Sequence, residues 1–315
     1  MIMNEKKIIP IVFAIDNNYA PMLHVTIRSI IAHASADYDY HIHIMYENLS
    51  AEYQRSLQSM QTANVQIQFD FVGDTVKKYA NVMHYKYYGS NAIYYRVFIP
   101  EIFTQYDKVI YLDSDVVLNA DISEFYNTQL GDKFVAGALC EIVNGMPVFI
   151  NYAKKFLGIG NDQPCYFNSG VLLMNCAKMR EVHFIDKFFA LANEYKLEVC
   201  PDQDYYNLLC HGKSVILPNI WNKMPITGSK EKLAELKLVH YNVFGKPWQQ
   251  KGVLYEELFW EHAKNTPMYE KLLSMREQFK GADVGGEKVN TLAELATELA
   301  NRGDNILAKI KQRYH

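Results

Sequence analysis

No stretch of this sequence approaches the roughly 18 apolar residues that a membrane-spanning helix needs. Cysteine is scarce. The five, Cys140, Cys165, Cys176, Cys200 and Cys210, are odd in number and form no Cys-x-x-Cys pair. That argues against a disulfide framework and against a zinc site, and a reducing cytosol is the expected setting. No signal pattern precedes the first strand-like segment, since Met1 to Lys7 runs straight into it. A basic excess is missing as well. With 32 Lys and Arg against 35 Asp and Glu, the net charge of −3 leaves nothing to neutralise a phosphate backbone, so nucleic acid is not the main partner. There is no Gly-x-Gly-x-x-Gly, hence no dinucleotide fingerprint. No internal repeat and no low-complexity segment is visible.

What is present is an ordinary globular balance, 49% apolar and 21% charged over 315 residues, enough for one large domain or two modest ones. Most of the 23 Tyr are read as packing residues with a wet hydroxyl. The first half alternates strand and helix patterns, the mark of an α/β fold. Ile8 to Ile15 is a near-continuous apolar run, suited to a strand buried on both faces. Pro21 fits the first turn of a helix, with Met22, Leu23, Ile27, Ile30 and Ile31 at helical spacing. Residues 40–46 read as a second strand, Ile42 and Ile44 on one face, His41 and His43 on the outward one. Ser50 opens a helix to about Met60, and Val65, Ile67, Phe69 and Phe71 alternate as a third strand. Further strands are expected at 134–138, 170–174, 215–217 and 238–241, and helices at 179–195, 202–210 and 254–278. Gly281, Gly285 and Gly286 suggest a hinge. Beyond it, Thr291-x-x-Glu294 reads as a capping box. Leu292, Leu295, Leu299, Leu307 and Ile310 follow as an apolar stripe. With four Lys/Arg against three Asp/Glu over 289–315, the stripe is expected to pack on the main domain or a second subunit rather than a membrane.

The chemistry concentrates in Lys108-Val-Ile-Tyr-Leu-Asp-Ser-Asp-Val-Val-Leu118. Two carboxylates, Asp113 and Asp115, interrupt an apolar run at the tip of a core strand. Buried charge is costly unless paired or metal-bound, so the pair calls for a cation, and a hard divalent ion suits oxygen ligands. The rival reading is an Asp capping the next helix beside a solvated partner. His240 ends a later strand, and a neutral imidazole completes a mixed site that suits Mn2+ better than Mg2+. Lys246, six residues on, offers a point charge to a phosphate. Phe13-Ala-Ile-Asp-Asn-Asn-Tyr19 places a polar cluster after the first strand, where α/β sheets bind ligands; a turn built from Asp and Asn is the simpler reading. Tyr166-Phe-Asn-Ser-Gly170 leads into a strand. Pro201-Asp-Gln-Asp204 reads as a helix start with carboxylates in its first turn, where capping is the simpler explanation.

Taken together and in this order, these five pieces resemble the retaining glycosyltransferases of family 8, which include bacterial lipopolysaccharide galactosyl- and glucosyltransferases and the glycogenins. The likeness covers about residues 8–250 and lies in the set rather than in any one motif. Arg96, in Tyr94-Tyr-Arg-Val-Phe98, also fits. The resemblance implies a GT-A-type α/β domain over residues 1–250, a mixed sheet flanked by helices. Residues 251–315 would then be a helical extension with its hinge near 281–286, and its helices a route to a homo-oligomer. It implies a UDP-glucose or UDP-galactose donor bound with Mn2+, Mg2+ being the alternative, and a carbohydrate or glycolipid acceptor. The setting it implies is cell-surface glycan or lipopolysaccharide synthesis, in the cytoplasm or peripherally at the inner membrane face. By matching position, Asp113, Asp115 and His240 become metal ligands, and Asp16, Asn18 and Tyr19 uridine contacts with Ala14 lining that pocket. Arg96, Asn168, Asp202 and Gln203 face the donor sugar, Lys246 reaches the diphosphate, and Glu141 falls where many members keep an Asp. One departure stands out. Many members read His-x-x-Gly-x-x-Lys-Pro-Trp, whereas here Val243 replaces that Gly and Gly245 comes two residues later, with the His240–Lys246 spacing kept.

Retention itself is implied only by the resemblance. A double displacement needs a nucleophile beneath the anomeric carbon, and Gln203, at the matching position, is a poor one. A front-face reaction, with the departing phosphate taking the acceptor's proton, is the other route. Tyr79, Tyr85, Tyr87 and Tyr88 are candidates for acceptor stacking. Two rivals compete: a haloacid dehalogenase-type phosphatase with Asp113 as nucleophile, and a non-catalytic module that only binds a UDP-sugar.

Overall fold

A computed structural model describes residues 6–83, 86, 90–242, 245–281 and 284–314, with backbone alone for 284–288. The chain forms two compact units. One comprises Met1–Gly73, Lys108–Gln129 and Ile220–Gly281; the other Asp74–Asp107, Leu130–Asn219 and Ala282–His315. No helix among the described residues is long and apolar enough to cross a membrane.

The first unit is built on four parallel strands, in the order β3-β2-β1-β4: β1 Lys7–Ile15, β2 Tyr38–Tyr46, β3 Val65–Phe71 and β4 Lys108–Leu112. Lying between β2 and β4, β1 buries Ile9, Ile11, Val12 and Phe13 completely, as its unbroken apolar run requires. Helix α1, Ala20–His33, starts with Pro21 in its first turn. Helix α2, Ala51–Gln58, is capped by Ser50 Oγ, which accepts from Tyr53 N at 3.3 Å. On the edge strand β3, Ile67 donates to Gln61 Oε1 and accepts from Gln58 Nε2, so that two side chains stand in for a missing neighbour. Beyond β4, a short strand β5, Val116–Leu118, pairs antiparallel with β9, Leu238–His240.

In the second unit, β6, Val135–Ala138, pairs antiparallel with β7, Val171–Asn175, and parallel with β8, Ser214–Leu217. The sheet pairing is therefore mixed, as expected.

Several sequence expectations need correction. His43 does not face outward: β2 is an interior strand, and His43 is 3% exposed with Nδ1 3.1 Å from Asp70 Oδ2. The helix expected over 179–195 is two, Cys176–Glu181 and Phe184–Glu194, broken at His183, whose φ of 53° is left-handed. That over 254–278 is also two, Glu256–Ala263 and Tyr269–Gln278. Pro267 lies in the gap, where its missing N–H and ring exclude a continuous helix. At the C-terminus, Val284–Arg302 is helical, so Thr291 and Glu294 lie within the helix rather than at its start. Gly285 and Gly286, read as part of a hinge, have helical backbone, while 282 and 283 lie outside the described residues. A second helix, Ile306–Tyr314, follows Gly303 and Asn305, both at positive φ. Leu292, Leu299, Leu307 and Ile310 are buried, and the long helix packs against residues 147–157 of its own unit. Asn305 N donates to Lys155 O at 3.2 Å there. Gly158, beside it, sits at φ +86°, a left-handed conformation that favours glycine, and a Cβ there would also displace Asn305 Oδ1.

Candidate active site

The paired aspartates sit in the turn between β4 and β5, and α1 holds that turn by its backbone. Thr26 Oγ1 lies 2.6 Å from Val116 O and 2.9 Å from Ser114 O, and Ser29 Oγ accepts from Leu118 N at 3.0 Å. Tyr111, two residues upstream on β4, donates its hydroxyl to Asp113 Oδ1 at 2.8 Å. The β5–β9 pairing sets Val116 opposite His240, and Tyr241 N donates to Asp115 O at 2.9 Å. This register brings the late histidine to the aspartates. His240 Nε2 lies 3.3 Å from Asp115 Oδ1 and 3.6 Å from Asp113 Oδ2. One ligand atom from each of the three residues falls within 4.8 Å of the others.

The donor set fits a divalent cation. His240 is fully buried, and its Nε2 makes no hydrogen bond although it faces two carboxylates. A buried polar atom without a partner is costly, and a cation shared by two carboxylates and an imidazole lone pair removes that cost. The other ring nitrogen, Nδ1, lies 2.8 Å from Asn222 Oδ1.

Lys246 joins this cluster. Its Nζ donates to Asp115 Oδ2 at 2.7 Å and lies 5.5 Å from the Tyr19 ring centroid and 5.0 Å from that of Trp248. Burial alone would push the Asp115 carboxyl up, but the Lys246 ammonium outweighs it and holds it well below the usual carboxylate range. Burial would likewise depress Lys246, and Asp115 reverses the sign, keeping the ammonium charged. Gly245, just before it, has φ +59°, and a Cβ there would press on Val253 at 3.1 Å. Val243, the position that departs from the family pattern, lies outside the described residues.

The loop after β1 is a turn built from Asp and Asn. Asp16 Oδ1 accepts from Asn18 N at 2.8 Å and Tyr19 N at 3.3 Å, and Asn17 Oδ1 accepts from Ser50 N at 2.8 Å. Ala14 is half-buried at the end of β1, while Asn18 and Tyr19 are exposed. The turn reading is met by Asp16 Oδ1.

A separate buried polar network lies in the second unit. Arg96 NH1 donates to Ser169 O at 2.5 Å, Arg96 Nε lies 3.3 Å from Asp202 Oδ2, and Ser169 Oγ donates to Asp202 Oδ2 at 2.8 Å. Gln203 Oε1 accepts from Asn168 Nδ2 and from Ser169 N, both at 2.9 Å. A backbone N–H can only donate, so the atom facing it is the amide oxygen and the flip of Gln203 is settled. Asp202 is thus an ion-pair partner, not the helix cap that its position suggested. Glu141 opens the helix Glu141–Gly145, half-buried.

Beneath these residues, Asp204 is wholly buried. It accepts from Tyr166 Oη at 2.5 Å, Tyr152 Oη at 2.8 Å and Cys200 N at 3.0 Å. Burial pushes its carboxyl up to about 7 against the pull of those donors. Sequence reasoning did not assign roles to Thr26, Tyr111, Ser169, Asp204 or Asn222. Ser169 and Asp204 lay inside motifs already singled out, whereas Asn222 carries no local signal. Of the tyrosines considered for an acceptor, Tyr79 stacks on Phe189 at 3.9 Å between centroids, a packing role. Tyr85, Tyr87 and Tyr88 lie outside the described residues.

Comparison with known proteins follows the same outline. The model of the family described as "Glycosyl transferase family 8" matches residues 10–252. A putative glycosyltransferase of Haemophilus influenzae is 25% identical over 296 residues, covering 86% of this chain and 87% of its own. A lipopolysaccharide 1,2-glucosyltransferase of Escherichia coli K12 is 27% identical over 195 residues, covering 56% of this chain and 55% of its own. Among solved structures, the apo form of the bifunctional glycosyltransferase WbbM superposes with a TM-score of 0.74 at 26% identity, covering 88% of this chain and 53% of that one. The chain spans about half the length of these last two proteins.

Proposed function

This chain belongs to glycosyltransferase family 8, with the mixed α/β GT-A fold, and we propose that it transfers glucose or galactose from a UDP-sugar to a carbohydrate acceptor, with retention of configuration. Asp113, Asp115 and His240 would hold Mn2+, or Mg2+ in its place. The observation that carries this is the buried, unbonded His240 Nε2 beside two carboxylates. Bound there, a divalent ion supplies positive charge to the diphosphate of the donor, where low dielectric makes that charge count.

The chain's own residues supply the rest. Lys246 adds a second fixed positive charge, and its proton is secure because Asp115 keeps it bound. Tyr19 and Asn18 are exposed for a base, with Asp16 and Ala14 beside them. Arg96, Asp202, Asn168 and Gln203 take the sugar hydroxyls, and Glu141 stands near them by family position. The Gln203 oxygen that would have to attack already accepts two hydrogen bonds. This supports the front-face route. The bond from C1 to the diphosphate oxygen breaks, the acceptor oxygen forms its bond to C1 on the same face, and its proton passes to the departing phosphate. The lipopolysaccharide glucosyltransferase relative supports a glycan or glycolipid acceptor in cell-surface synthesis, and an acceptor of that kind would bring the enzyme to the inner membrane face.

The family match does not favour the phosphatase alternative. A panel of UDP-sugars with Mn2+ tests the function, read as sugar transfer and as slow hydrolysis without acceptor. The expected result is turnover of UDP-glucose or UDP-galactose that EDTA abolishes. Turnover indifferent to EDTA sinks the metal role. Cleavage of p-nitrophenyl phosphate with Mg2+ and inertness to UDP-sugars would restore the phosphatase.

A further inference from the structure

The metal cluster has a feature that its three ligands do not explain. An imidazole serves as a ligand only through an unprotonated nitrogen, and in neutral histidine one of the two nitrogens carries a proton. Which nitrogen does so is set by what the other one meets. Here Nδ1 meets Asn222 Oδ1 at 2.8 Å, and Nε2 meets only the carboxylate pair. Asn222 and His240 are both 0% exposed, so water does not stand in for the amide.

Asn222 is itself held in place. Its neighbour Lys223 bridges to β9: Lys223 N donates to Leu238 O at 3.0 Å, and His240 N donates to Lys223 O at 2.8 Å. The backbone carrying the amide is thereby tied to the strand carrying the ring, and the two side chains keep their separation.

Resting on the metal-dependent reading above, we propose that Asn222 is the positioning residue of the metal centre. By accepting the Nδ1 proton of His240, it places the Nε2 lone pair on the cation side and locks the ring plane. A ligand held this way loses less freedom on binding, and such partners of metal-bound histidines are worth roughly ten- to a hundredfold in affinity.

The test uses the whole chain with Mn2+ alone, followed by electron paramagnetic resonance. Asn222→Leu keeps the volume and removes the acceptor. Its expected Mn2+ affinity falls by roughly ten- to a hundredfold, while Asn222→Asp, which still accepts, stays within a few-fold of wild type. Equal affinity of wild type and Asn222→Leu overturns the proposal. Nitrogen-15 chemical shifts of His240 in metal-free protein give a second reading that survives if the Leu variant fails to fold. Wild type should show a protonated Nδ1, as the contact with Asn222 Oδ1 requires, and a bare Nδ1 overturns the proposal. Wild-type protein that binds no Mn2+ defeats the metal-dependent function instead, and the nitrogen shifts still judge Asn222.

Discussion

At Gln203 two mechanisms separate. Its amide oxygen is engaged by Asn168 and by the Ser169 backbone, so Gln203→Ala is expected to cost only about tenfold in kcat, or ~1.4 kcal/mol. Loss of several orders of magnitude, with the fold intact by circular dichroism, would revive a covalent intermediate. Asp113→Ala and Asp115→Ala are expected to remove Mn2+-dependent turnover while the fold survives, as read by circular dichroism; Asp115→Ala also loses stability, because it leaves the buried Lys246 ammonium without its partner. Asp204 makes a prediction about pH. Its pKa is raised by burial to about 7 in the folded state against about 3.9 unfolded. The folded state therefore holds the proton more tightly. The stabilisation is complete below pH ~4, and it is lost as pH rises through 7. Asp204→Asn lacks this dependence. The stability advantage of wild type over the variant should shrink by about 2–3 kcal/mol between pH 5 and pH 8 in urea titrations; a constant difference contradicts it. The contrast among residues is instructive. Asp113 and Asp115 were legible because charge broke an apolar run, and Asp204 was not, since a buried carboxylate and a helix-capping one look alike in sequence.

Among elements, the β4–β5 turn depends on a helix distant in sequence. Thr26 on α1 shares its single hydroxyl proton between two carbonyls, Ser114 O and Val116 O, at the turn that carries the aspartates. Thr26→Val, of equal shape, leaves those buried carbonyls without that donor. It is expected to cost about 1–3 kcal/mol and to weaken Mn2+ binding, measured by denaturation and by titration. Unchanged binding would mean that the turn holds its geometry without α1. Strand positions were largely legible, because a run such as Val109–Leu112 has one economical burial. Helix limits were less so. Periodicity carried the expected helix through 254–278 across Pro267, and it started the C-terminal one at Thr291, although a good cap sequence does not stop a helix whose preceding residues also propagate.

At the scale of the molecule, the apolar stripe of the C-terminal helices is covered by residues 147–157 of its own unit. It does not wait for a second subunit. Ile310, 0% exposed, tests this. Ile310→Ala is expected to lower stability by about 2–5 kcal/mol, with the mass in solution by light scattering the same for variant and wild type. A fall in mass with little change in stability would instead mark an oligomer contact.

The sequence by itself determined the class of the protein: α/β patterning, a carboxylate pair at a strand end, and the ordered set of motifs that marks family 8. Local burial and spacing suffice for these, because each follows from neighbours within a few residues. Only the tertiary structure decided how the metal-type cluster is assembled. His240 reaches Asp115 through the β5–β9 register, Lys246 settles on the same carboxylate, and Asn222 takes the far nitrogen of the ring. Contacts across such separations depend on strand pairing and side-chain packing, and no periodicity along the chain encodes them.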